Sequence, residues 1–247
     1  MLLCADGDCL VIGPVLIRLT KASEPNFDQP EGDSMSVDPR ISLSSSAGNV
    51  SHIQNAKGDS GGNDRFMFER MLQHRTIQLF GAVDQKLAKT VIGQLMTLEA
   101  DDAKKPITVI QNSPGGSVND GFAIYDAMRF VKPEIRIVCV GLTASIATIT
   151  LLGAKKENRF SLPNTRFLIH QPLIPGNVFG PASDLEITAQ EILKTRDKIN
   201  ELLSEETGQP LKRVAKDAQR DYWMDAETSL DYGLISKIVT SRDDLDG

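Results

Sequence analysis

No run of apolar residues in this chain approaches the ~18 needed to cross a bilayer as a helix, so no membrane span is expected. Cysteine is scarce. Only Cys4, Cys9 and Cys139 are present, an odd number with one inside the part expected to fold, and neither a disulfide framework nor a zinc cluster can be built from them. A reducing, cytoplasmic compartment fits that usage, and no metal or other cofactor is expected. Positive charge is in deficit, with 27 Lys and Arg against 33 Asp and Glu and a formal net charge of -6. Without a basic footprint, a nucleic-acid partner has no electrostatic support. Histidine is limited to three residues, which narrows the search for a base that works near neutral pH. The apolar stretch Leu10 to Ile17 is interrupted by Gly13 and Pro14, and Asp6 and Asp8 stand where a secretory signal carries positive charge, so it is not read as one.

What is present falls into two textures. From Lys21 to Asp64 the chain is rich in Ser, Gly, Asp, Asn and Pro with scattered single apolar residues, a composition that does not repay the entropy of ordering. Residues 1–64 are therefore expected to be a disordered N-terminal tail or propeptide, and the internal Met35 leaves open a start codon placed too far upstream. From residue 65 to 247 short apolar strands alternate with amphipathic helices, the pattern of a sheet covered by crossover helices. Strands are predicted over Thr76 to Phe80, Pro106 to Gln111, Ile135 to Val140, Arg166 to Ile169 and near Lys237 to Thr240. Helices are predicted over Asp84 to Glu99, Ser117 to Phe130, Ser145 to Leu152 and Ala182 to Glu206, with two more in the C-terminal third. There is no internal repeat.

Three positions carry candidate chemistry. Ser145 follows the apolar strand Ile135 to Val140 and Gly141, at the predicted start of a helix. A strand-to-helix turn lifts a hydroxyl above a sheet beside unpaired first-turn amides, which suits a nucleophile. An isolated serine at such a turn is more often a helix cap. His170 closes the strand Arg166 to Ile169 and is the histidine beside predicted core; His52 falls in the tail and His74 in a polar stretch. A core histidine bonded to a backbone carbonyl is the plainer role for it. Asp221 lies between a predicted helix end and the pair Tyr222 and Trp223, where a carboxylate could be buried enough to orient an imidazole, with Asp217 and Asp225 as nearby competitors. Paired glycines at Gly115 and Gly116 let the backbone approach a substrate with an exposed amide, and the Gly116 and Ile146 N–H groups are the candidate oxyanion donors.

Taken together these segments resemble the ClpP family of ATP-dependent protease subunits, over roughly Asp64 to Thr240. The stretches that carry the resemblance are Asn112-Ser113-Pro114-Gly115-Gly116-Ser117, Ala123-Ile124-Tyr125-Asp126, Thr143-Ala144-Ser145-Ile146-Ala147, Leu162-Pro163-Asn164, Ile169-His170-Gln171-Pro172, Arg220-Asp221 and Tyr232-Gly233-Leu234-Ile235. The resemblance implies an α/β, ClpP/crotonase-like fold of repeated β-β-α units with a protruding long helix, the handle. It assigns Ser145 as nucleophile, His170 as general base and Asp221 as the acid that orients it. It further implies a serine endopeptidase acting on unfolded proteins inside a chamber of two stacked seven-membered rings, fed by a Clp-type ATPase hexamer.

The chain also departs from the family. Ile146 and Ala147 stand where Met and Gly are usual, which implies a tighter oxyanion turn. Thr108 and Ile110 replace tyrosines that help receive the ATPase's docking loops, and Gln219 replaces an acid used in contacts between rings. These departures point to a paralogous subunit working in a mixed ring. A catalytically silent ring subunit is the alternative from another class. A crotonase-like acyl-CoA enzyme is a second, opposed by the complete Ser-His-Asp set.

Overall fold

The computed structural model describes residues 9–12, 15–18, 60–173 and 179–245, and the chain divides into two units, Met1–Gly58 and Asp59–Gly247. Of the first unit, strands β1 (Cys9–Ile12) and β2 (Val15–Arg18) are described, paired antiparallel. Most of the stretch expected to be a tail lies outside the described residues.

The second unit opens with helix α1 (Ser60–Gln73), which begins before residue 65. No helix was expected ahead of Thr76, and the Gly- and Asn-containing first turn carries no apolar periodicity to mark one. Strand β3 (Thr76–Phe80) follows, then helix α2 (Gln85–Asp101), strand β4 (Ile107–Ser113), helix α3 (Val118–Phe130) and strand β5 (Ile135–Ala144). Helix α2 starts where Asp84 accepts the Leu87 amide at 2.8 Å, and it turns Ala88, Val91, Leu95 and Leu98 into the core. Short helix α4 (Ile146–Leu151) leads to strands β6 (Arg159–Ser161) and β7 (Arg166–Ile169). Next come the long helix α5 (Ala182–Thr207), helix α6 (Leu211–Asp217), strand β8 (Tyr222–Met224), helix α7 (Ala226–Tyr232) and strand β9 (Lys237–Ile238).

Strands β3, β4, β5, β6 and β9 run parallel in that order, so the expected α/β class with a mostly parallel sheet is what the chain forms. Strand β5 is the branch point. Its residues Ile137 to Cys139 pair with β6, whereas Leu142 to Ala144 pair with β7, and β7 pairs antiparallel with β8. Between those halves the register with β4 jumps, so that Gln111 faces Cys139 but Ser113 faces Thr143. This is a bulge, and a bulge bends a strand and re-aims its end. Gly141 sits in it at φ 66°, and the Asn112 side chain accepts the Leu142 amide at 3.2 Å, replacing a ladder bond. Gly141 read as a strand end in the sequence; in the molecule the strand continues through it to Ala144.

Helix α5 spans 26 residues, about 39 Å. Only Ile199, Asn200, Leu203 and Thr207, all in its last third, are buried. The rest stands off the core, in keeping with the expected handle. Its base is tied down by Arg159, which is fully buried, donates to the Ala154 carbonyl at 2.9 Å, and forms a close ion pair with Glu206. Among the described residues, no helix is long and apolar enough to cross a membrane.

Candidate active site

The register of the strands determines which side chains meet. Parallel pairing sets Ala144 opposite Leu168, and the Ser145 amide continues that ladder to the Leu168 carbonyl at 2.8 Å. Antiparallel pairing sets Ile169 opposite Tyr222, so His170 and Asp221, one step further along each strand, face each other. Three residues distant in sequence are thereby gathered at the ends of β5, β7 and β8. The loop beyond His170 is held there by the Gln171 amide, which donates to the Ala218 carbonyl at 2.7 Å, and by its side chain, which donates to the Gln219 carbonyl at 3.0 Å.

Ser145 Oγ lies 2.7 Å from His170 Nε2. The serine makes no capping bond to α4, so the helix-cap role considered for it is not the one it plays. Its backbone has φ 58° and ψ −129°, a region that non-glycine residues rarely occupy and that costs about 1–3 kcal/mol. Strain of that size persists where surrounding structure over-determines a turn. Here the Ser145 carbonyl accepts both the amide of Thr148, at 2.9 Å, and its hydroxyl, at 2.7 Å.

Asp221 Oδ1 stands 3.5 Å from His170 Nδ1, and its side chain is 65% exposed against 15% for the histidine. The expected partner is present, but its expected burial is not. Asp221 precedes β8, which among the described residues pairs with β7 alone, so no further described strand covers the carboxylate. The competing acids are engaged elsewhere. Asp217 accepts the Tyr232 hydroxyl at 3.2 Å and lies 3.5 Å from Arg213, while Asp225 caps α7 through the Thr228 amide at 2.8 Å. Burial first, and then Asp217, push the Tyr232 phenol up, so it stays protonated. His74 is exposed, as its polar surroundings implied, and His52 lies outside the described residues.

The two candidate oxyanion donors come from the turn after β4 and the head of α4. Val83 donates to the Gly115 carbonyl and accepts from the Ser117 amide, each at 2.8 Å, so the intervening Gly116 N–H turns away from Val83. The Gly115 amide is occupied by Ser113 Oγ at 3.1 Å. Glycine is required at both positions. A Cβ on Gly116 would sit 2.2 Å from the Val83 carbonyl oxygen, and one on Gly115 would sit 2.6 Å from Ser145 Cβ. That second figure also shows how closely the glycine turn passes over the serine. The Ile146 amide, 3.2 Å from the same notional atom, is the first of α4 and has no acceptor within its helix.

Beside Ser145 opens a pocket walled by Val118, Ile146, Ile149, Ile169, Ile199 and Leu203. Apart from Ile146, whose amide was a candidate oxyanion donor, the sequence reading assigned none of these residues to a site. Their one signal was the Ile199 and Leu203 pair, apolar at one-turn spacing on the otherwise polar α5. Cys139, also nearby in β5, is no rival nucleophile, because burial pushes its thiol up to about 12.

A family model described as Clp protease matches residues 60–242. The chain belongs to the Clp protease family. Within that family, the solved structure of a mutant ClpP1 from Listeria monocytogenes is 40% identical in sequence, with a TM-score of 0.66, covering 72% of this chain and 99% of that one. Family membership makes this a Clp-type peptidase fold, and the gathered residues sit where β5, β7 and β8 of that fold end.

Proposed function

We propose that this member of the family is a serine endopeptidase in which Ser145 attacks the peptide carbonyl, His170 takes its proton, and Asp221 orients the imidazole. The observation that carries the reading is the 2.7 Å contact from Ser145 Oγ to His170 Nε2 at a strained serine. With the ring proton on Nδ1 facing Asp221, Nε2 accepts the hydroxyl hydrogen. As the oxygen bonds to the carbonyl carbon, that proton passes to Nε2 and then to the leaving amine. Negative charge on the carbonyl oxygen is met by the Gly116 and Ile146 N–H groups. Water, deprotonated by His170, releases the acyl group and restores the serine.

The apolar pocket beside Ser145 favours an apolar side chain next to the cleaved bond. Unfolded chains, delivered in the cytoplasm by a Clp-type ATPase hexamer to a double ring of this subunit and a paralogue, are the substrates that fit the family. Exposed Phe66 and Met67 on α1 and Ile187 on α5 support such self-association. The exposed carboxylate of Asp221 favours one second reading, a ring subunit silent in catalysis. Labelling with a fluorophosphonate decides between them. The wild-type chain should label at Ser145, and Ser145→Ala should not; absence of labelling in every assembly state would leave the silent subunit.

A further inference from the structure

Gln111 is the last residue of β4 before the bulge, and it is completely buried. Burying an amide side chain is costly unless its polar atoms are paired. Here they are, and every bond crosses to the segment that carries the nucleophile. Gln111 Nε2 donates to the Ala147 carbonyl at 2.9 Å and to Thr143 Oγ1 at 3.3 Å, and Oε1 accepts the Thr150 hydroxyl at 2.7 Å. Thr143, Ala147 and Thr150 are themselves completely buried. Elsewhere Gln94 leaves its Oε1 buried without a partner, so full pairing is not the rule for buried amides in this molecule.

The placement of this network gives it a role beyond filling space. Strand β4 runs directly into the turn that presents the Gly116 amide, and α4 begins with the Ile146 amide. Helix α4 has only six residues and no side-chain cap, since Ser145 is turned toward His170. Its own ladder therefore does little to fix its direction. A satisfied polar network in a low-dielectric core is rigid and specifies one arrangement. We infer that Gln111 is a positioning residue that braces β4 against α4 and so sets the separation of the Gly116 and Ile146 amides around the developing oxyanion. This rests on the serine-peptidase reading, but nothing in that reading requires it.

The test uses the full chain, in the assembly in which wild type labels with fluorophosphonate, and compares wild type, Gln111→Leu, Thr150→Val and the double variant. For each, kcat and KM on a fluorogenic peptide are measured, with affinity for a peptide boronate of the same sequence and the melting temperature. Losing one oxyanion donor outright costs about 10² to 10³ in rate, so displacing two donors in Gln111→Leu should lower kcat roughly tenfold. KM should stay within about twofold, and boronate affinity should fall by the same factor as kcat/KM, because the boronate oxygen uses the same amides. The double variant removes both ends of the Gln111–Thr150 bond and should regain part of the melting temperature lost by Gln111→Leu, without regaining kcat or boronate affinity. If Gln111→Leu does not assemble, Thr150→Val should show a smaller loss with the same pattern. Recovery of kcat together with stability, or unchanged boronate affinity in the variants that assemble, overturns the inference. A wild-type chain that never labels overturns the peptidase reading instead.

Discussion

Asp221 is the residue whose geometry most limits the chemistry. Replacing a buried triad aspartate costs about 10⁴ in kcat, because the wrong imidazole tautomer then prevails. Here the carboxylate is mostly in water and 3.5 Å from the ring, so its hold on the tautomer is weaker. Asp221→Asn should therefore lower kcat only about 10²-fold, with KM little changed, as steady-state kinetics on a fluorogenic peptide would show; a loss of the full buried-triad size would mean that the carboxylate is covered in the working enzyme. At this scale the sequence was most legible. Strand ends singled out Ser145 and His170 as candidates and left Asp221 with Asp217 and Asp225 as competitors; the resemblance to the family is what assigned the three their roles. The carboxylate's exposure was not legible, since it depends on β8 being a strand with one neighbour, and a three-residue strand leaves no periodic trace.

Elements show the same division. Helices α2, α3 and α5 were predicted close to their observed limits, because apolar spacing and capping residues such as Asp84 and Ser117 mark them. Strands β6 and β8 were missed, and β6 opens with Arg159, a charge that normally argues against a buried strand. Its burial is possible because Glu206 and the carbonyls of Ala154 and Leu152 receive its guanidinium. Glu206→Ala should strand that charge and cost about 3 kcal/mol or more, read as a shift in urea midpoint without a change of slope. The close approach of α3 to α4 supplies a second prediction. A Cβ on Gly121 would stand 2.2 Å from Ile146 Cγ1, an atom next to a branch point that cannot simply swing aside. Gly121→Ala should push α4 and lower kcat by roughly tenfold or more, in line with ångström-scale misplacement, while the wild-type helix content by circular dichroism is retained.

Across the whole second unit, large apolar side chains lie exposed on several elements, among them Phe66 and Met67 on α1 and Ile187 on the free part of α5. A helix of about 39 Å that buries only its last third gains little from standing alone. Ile187→Asp should leave the fold of the unit intact, because that residue touches no core, and reduce the assembled fraction in sedimentation velocity. Unchanged sedimentation would place the contacts between copies away from α5.

The way β7 and β8 are paired has a corollary. Side chains at the catalytic end can be exchanged one for another and leave the ladder's phase untouched, but the phase itself is a whole-number property. Excising a single residue from β8 would carry Arg220 into the place opposite His170, setting a guanidinium against the imidazole where a carboxylate belongs. A substitution along that edge thus keeps the facing pairs in register, whereas any change of its length moves every one of them.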